Sequence, residues 1–168
     1  EIDIIRALGV EIKCGVEVGK DITLDELRKD GYEAFYIAIG CQGSRKSGVA
    51  GEDADGVMSA VDILHEIAEN HDLDLKGNKT VVIGGGNVAV DVARSTKRCG
   101  ADVLGMFCLE SREEMPASEE EIFETEDEGI QINNGWGVKE ILAENGKVTG
   151  VVLKKCTSVK DADGKFNP

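Results

Sequence analysis

Apolar and polar positions fall into three stretches. In the first, Ile2, Ile5 and Leu8 recur at helical spacing and stop at Gly9, a natural C-terminal cap. Val10–Cys14 alternates as a strand does. Thr23 and Glu26 form a capping box that opens a short helix, and Ala34–Ile39 reads as a buried strand ending at Gly40. The second stretch is a connector, 41–56, rich in Gly, Ser and Asp. A helix follows, opened by Ser59 and Asp62, with Val61, Leu64, Ile67 and Ala68 on one face; Asp72–Asn78 is a polar approach to the next strand.

The third stretch alternates strand and helix. Thr80–Ile83 is a short β-branched strand. Val88–Cys99 is a helix, with Val88/Val92 and Ala89/Ala93 four apart, Lys97 and Arg98 at its cation-favouring end, and Gly100 closing it. Ala101–Leu109 is apolar enough for a strand covered on both faces. Ser118 and Glu121 open a helix to about Glu128. Ile130–Ile132, Val138–Leu142 and Val148–Lys155 read as strands, the last two joined by the hairpin turn Glu144, Asn145, Gly146; Asp161–Pro168 is a tail. The pattern predicts an α/β fold, a Rossmann-like doubly wound dinucleotide-binding domain with an appended β-hairpin.

Composition narrows the function. Thirty-three acids against 19 bases give a net charge of −14, which repels phosphate backbones and excludes nucleic acid as an expected partner. From Glu110 to Glu128 there are ten acids and one base, Arg112, which reads as a solvated helix face. The apolar runs are strand-sized, so no membrane span is expected. Cys14, Cys41, Cys99, Cys108 and Cys156 form no C-x-x-C pair, so no zinc, iron–sulfur or redox-dithiol motif is expected. Scattered thiols suit buried cysteines in a reducing cytosol, and a cytoplasmic location is expected. His65 and His71 have no third ligand spaced to join them. The chain opens in a charged, helix-like run without Met, as an excised domain would.

The chemistry is concentrated after the strand at 80–83. Gly84, Gly85, Gly86, Asn87, Val88 and Ala89 fit G-x-G-x-x-A between a strand and a helix. Gly84 permits the tight turn, Gly86 lets the backbone approach a pyrophosphate, and Ala89 lets helix and sheet pack closely. Unpaired amides around Gly86–Val88 then face the phosphates, aided by the helix dipole. Glu110 ends the second strand, where an acid accepts hydrogen bonds from the adenosine ribose 2′-hydroxyl and repels a 2′-phosphate. That favours NAD. Ser111 and Arg112 complete the loop, and Arg112 argues the other way, because an arginine there can grip a 2′-phosphate; NADP stays possible. The alternative reading of Glu110 is one more solvent-facing acid in the acidic run. Trp136, between Gly135 and Gly137, reads as a packing residue rather than a lid.

GGGNVAVD (84–91), SREEMPAS (111–118) and AFYIAIGCQGSRKSGVAGED (34–53) together resemble the glutamate synthase small-subunit family of FAD-dependent pyridine-nucleotide oxidoreductases. Related are the flavin and nicotinamide part of dihydropyrimidine dehydrogenase and NAD(P)H:ferredoxin reductase subunits. The resemblance covers about residues 1–157. It implies that 1–47 are the end of the first half of an FAD domain, with Gly40 near the flavin. By the same resemblance 48–157 are the NAD(P)-binding domain and 158–168 a tail returning to the FAD domain. It implies hydride exchange between NAD(P)H and FAD, and an electron-acceptor subunit or iron–sulfur domain as partner. The FAD fingerprint would lie before Glu1 and the closing Gly-Asp segment after Pro168, so FAD would bind only the full-length protein. Leu109 and Glu110 stand where NADPH-using members carry two arginines, and Ala50 replaces a turn proline. The resemblance implies no catalytic acid, base or nucleophile here. Two other classes use similar turns: a methyltransferase binding S-adenosylmethionine, and a non-catalytic nucleotide-sensing module.

Overall fold

A computed structural model describes all residues from Glu1 to Pro168, and the chain divides into two compact units, Glu1–Cys41 and Gln42–Pro168.

The first unit carries two short helices, α1 (Ile2–Ala7) and α2 (Leu24–Lys29). Gly9 turns the chain after α1 at φ +89°. Thr23 and Glu26 cap α2 reciprocally: the Glu26 amide donates to the Thr23 hydroxyl at 3.2 Å and the Thr23 amide to the Glu26 carboxylate at 2.8 Å. The two expected strands do not form. Residues 10–14 and 34–39 form no strand pairing, and Tyr36, Ile37 and Ile39 are 95%, 73% and 82% exposed. The physical reason is that an extended segment gains ladder bonds and a covered face only beside another strand, and no neighbouring strand is present in this unit.

The second unit is the α/β body. In order it contains α3 (Ala60–Glu69), β1 (Lys79–Ile83), α4 (Asn87–Arg98), β2 (Asp102–Cys108), α5 (Glu119–Asp127), β3 (Ile132–Asn134), β4 (Trp136–Glu144) and β5 (Lys147–Lys155). β1, β2 and β3 form a parallel sheet in that order, joined by α4 and α5. Two crossovers advancing in one direction place both helices on one face, and α4 packs on α3, α5, β1 and β2. The core lies there: Val82, Val90, Ala93, Met106, Ile122 and Ile130 are buried, with Ile63 of α3 closing it. Thr96 and Thr125 are buried polar groups that satisfy themselves, donating to the carbonyls of Val92 (2.7 Å) and Glu121 (2.6 Å) one turn back.

β3 begins at Ile132 rather than Ile130 and extends into two asparagines, residues with low strand propensity. Their side chains supply what a three-residue strand lacks: Asn133 Nδ2 donates to the Met106 carbonyl at 3.1 Å. The approach is close enough that a Cβ on Gly105 would sit 2.9 Å from Asn133 Nδ2, and Gly105 has φ +151°. The expected hairpin forms from β4 and β5, turning at Asn145 and Gly146 with φ of 52° and 81°, the positive pair of a type I′ turn. The connector docks on it: Ile141 donates to the Ala50 carbonyl at 2.9 Å, and at the hairpin end the Asp55 amide donates to the Gly146 carbonyl at 2.8 Å while the Val148 amide donates to the Asp55 carbonyl at 2.9 Å. Ala50 thus occupies a bridge position beside Glu140.

Candidate functional site: the glycine turn and the end of β2

The site sits at the carboxyl ends of β1 and β2, where parallel sheets open a crevice for ligands. Gly84 leaves β1 at φ +137°, its amide still donating to the Phe107 carbonyl at 2.9 Å. A Cβ there would lie 3.2 Å from the Ala89 methyl, so the small residues at 84 and 89 let α4 sit tightly over the strand exit.

Gly85 and Gly86 do different jobs. Gly85 is buried, and a Cβ on it would fall 2.9 Å from Cys108 Cβ and 3.1 Å from Glu110 Oε2. Its missing side chain makes room for the end of β2 and for the Glu110 carboxylate beside it. Gly86 is the N-cap of α4 with no side-chain cap, and a Cβ there would meet nothing within 4 Å. Beside it the first-turn amides of Asn87 and Val88 have no intrahelical acceptor. An uncapped helix start facing open space suits an anion, and it fits a dinucleotide pyrophosphate.

The loop 111–118 closes on the same turn. Ala117 donates to the Gly85 carbonyl at 3.0 Å, and Ser118 donates to Asn87 Oδ1 at 2.9 Å. Asn87 therefore ties turn to loop through its side chain. Ser111 donates to Glu114 at 2.9 Å, and Arg112 is paired with Glu126 of α5 at 3.1 Å. Val88 is 52% exposed on the free side of α4. Gly84, Gly85, Gly86, Asn87, Val88, Glu110 and Ser111 thus converge around the carboxyl ends of β1 and β2, with Arg112 at the margin. Gly40 belongs to the first unit, with φ +67° and nothing within 4 Å of the place its Cβ would take.

The backbone of Glu110 is held by residues that sequence reasoning passed over. Its carbonyl accepts from Asn134 Nδ2 at 3.2 Å and from the Gly135 amide at 3.1 Å. Asn134 Nδ2 also lies 3.3 Å from Cys108 Sγ. The signal was available as paired asparagines before Gly135, but Asn-Asn-Gly reads as a turn when no partner strand is known. Burial, and next the charge of Glu110, push the Cys108 thiol above its ordinary value, so it is a packed sulfur rather than a nucleophile. Cys156 is also buried and Cys99 partly so, whereas Cys14 and Cys41 are exposed, so the expected burial holds for only some of the thiols. Arg112 and Ser111 border a cleft of ≈ 290 Å³ shared with Asn134, Lys155 and Ser158. At its edge the Lys155 ammonium sits 4.6 Å over the Trp136 ring, so Trp136 is packed rather than free.

The acidic run is not simply a solvated face. Glu121, Glu124 and Glu128 converge on Arg94 of α4 at 3.1, 2.6 and 2.7 Å, and Arg98 also pairs with Glu128. This network locks α5, and with it the loop before it, against the helix that starts at the glycine turn.

A family model described as pyridine nucleotide-disulphide oxidoreductase matches residues 3–166. The chain is 37% identical over its whole length to the NADP(+)-dependent formate dehydrogenase subunit beta of Moorella thermoacetica, covering 24% of that protein. It is 32% identical over 97% of its length to the glutamate synthase [NADPH] small chain of Escherichia coli, covering 36% of it. The chain thus spans about a quarter to a third of these curated relatives. Among solved structures, Mycobacterium tuberculosis FprA in complex with NADPH superposes with a TM-score of 0.71 at 22% identity, covering 90% of this chain and 49% of FprA. That likeness establishes the Rossmann-type fold expected from the strand and helix pattern.

Proposed function

The chain belongs to the pyridine nucleotide-disulphide oxidoreductase family, and from that premise we propose that it binds the pyridine dinucleotide of a flavin-dependent oxidoreductase, with NADH preferred over NADPH. The observation that carries the proposal is the pairing at the end of β1. An uncapped helix start opens beside Gly86, and the Glu110 carboxylate borders the space left by the missing Gly85 side chain. Amides of Gly85, Gly86, Asn87 and Val88 hold the pyrophosphate, and Glu110 accepts from the adenosine ribose hydroxyls. Bound nicotinamide supplies a hydride, and this chain contributes binding, orientation and electrostatics to its delivery.

The relatives' names specify NADP(+) or NADPH. Two features support NADH in this chain. Glu110 presents like charge to a 2′-phosphate, and Arg112, the cation able to offset it, is engaged by Glu126. In the whole protein, residues 1–47 belong to an FAD domain to which 158–168 return, and electrons pass to an acceptor subunit or iron–sulfur domain.

Titration of the chain with each nucleotide, followed through the single tryptophan and the melting temperature, tests the reading. NADH should give the larger shift, and Glu110→Arg should reverse the order. Equal or reversed shifts in the native chain would end the NADH assignment, and protection by S-adenosylmethionine alone would favour a methyltransferase. With the flanking FAD segments restored, NADH-driven dye reduction separates an oxidoreductase from a nucleotide sensor, which would reduce nothing.

A further inference from the structure

Glu110 lies two residues beyond the last paired residue of β2, where no ladder bond fixes it. A carboxylate that must meet a ribose hydroxyl within a few tenths of an ångström needs its main chain held by something else. The Glu110 carbonyl accepts two bonds, one from Asn134 Nδ2 at 3.2 Å and one from the Gly135 amide at 3.1 Å. Asn134 pairs in register with Cys108, and the same Nδ2 lies 3.3 Å from Cys108 Sγ. One side chain therefore grips both ends of the segment Cys108, Leu109, Glu110. On its other side, that segment is stopped by the turn: Cys108 Cβ and Glu110 Oε2 lie 2.9 and 3.1 Å from the place a Gly85 side chain would take. β2's exit is held between Asn134 and the backbone of Gly85.

We propose that Asn134 is a positioning residue for nucleotide selectivity, fixing Glu110 so that its carboxylate faces the ribose hydroxyls and turns away a 2′-phosphate. This rests on the reading of Glu110 given above. Asn134 touches no ligand itself; it acts through the Glu110 carbonyl. Leucine at this position keeps the branching and the number of side-chain heavy atoms and removes the donor.

The test is a double-mutant cycle on the 168-residue chain, reading NADH and NADPH dissociation constants alongside the melting temperature. Asn134→Leu should weaken NADH binding about three- to tenfold, the scale of one positioning hydrogen bond. NADPH binding should weaken less, so selectivity falls. In a Glu110→Ala background the same substitution should change neither constant, because the group it positions is gone. A general structural role would weaken binding equally in both backgrounds, and that result overturns the proposal, as does unchanged selectivity in Asn134→Leu. Asn134→Ala gives the same comparison should the leucine variant misfold. If instead Glu110→Ala leaves NADH binding untouched in the native background, the Glu110 reading fails first and the role of Asn134 falls with it.

Discussion

Gly86→Ser separates stability from binding at one atom. Gly86 caps α4 without a side chain, at φ −94° and ψ 171°, values that serine adopts freely. A Cβ there meets nothing within 4 Å, so the new side chain causes no clash. Its hydroxyl can accept from a first-turn amide, as Ser118 accepts from Glu121 at 3.3 Å at the start of α5. Replacing a glycine cap by serine is worth a few tenths of a kcal/mol. Loss of glycine's freedom in the unfolded chain adds about 0.4–1 kcal/mol. Together they amount to about 1 kcal/mol, or roughly 2–5 °C for a body of this size. The same hydroxyl takes the amides and the space assigned to the pyrophosphate, so NADH affinity should fall about tenfold or more, equivalent to about 1.4 kcal/mol. Differential scanning fluorimetry and Trp136 titration read the two effects on one sample. A variant that melts lower would refute the cap, and one that melts higher yet binds NADH as before would refute the assignment of this helix start to the phosphates.

Gly85→Ala should behave in the opposite way. Its methyl meets the Cβ of Cys108 at 2.9 Å, an overpacking that costs about 1–3 kcal/mol; urea denaturation should show the loss even without nucleotide, and an unchanged midpoint would contradict the contact. Arg94→Met should loosen α5 from α4, since the arginine side chain is 15% exposed and faces three carboxylates. The loss should fall between that of an exposed and a buried pair, about 1–3 kcal/mol at pH 7. The network also sets a pH dependence. Hydrogen bonds from Arg94 and then Arg98 hold the Glu128 carboxyl below its ordinary value. Stability from that group is therefore present above the ordinary carboxylate range and is lost as pH falls through the lowered value. Urea midpoints from pH 7 to pH 3 should fall more steeply in the native chain than in Arg94→Met, and parallel curves would remove Glu128 as a cause.

The sequence by itself determined the elements whose signals are local. Thr23, Ser59 and Ser118 cap helices because a hydroxyl reaches an amide three residues on, whatever lies elsewhere. Asn145 and Gly146 close the hairpin because both tolerate positive φ. The G-x-G-x-x-A spacing marked the β1–α4 turn because close packing there restricts residue size. Tertiary structure decided what depends on partners distant in the chain. Ala34–Ile39 has the composition of a buried strand yet stays unpaired, since no neighbouring strand lies beside it. Asn133 and Asn134, poor strand residues, enter β3 where their side-chain amides reach the carbonyls of Met106 and Glu110. Glu121, Glu124 and Glu128 look like solvent-facing charge until α5 lies beside Arg94. The division of labour between Gly85 and Gly86 is likewise invisible in a run of three glycines. It follows from what stands opposite each one: the end of β2 against the first, open space against the second.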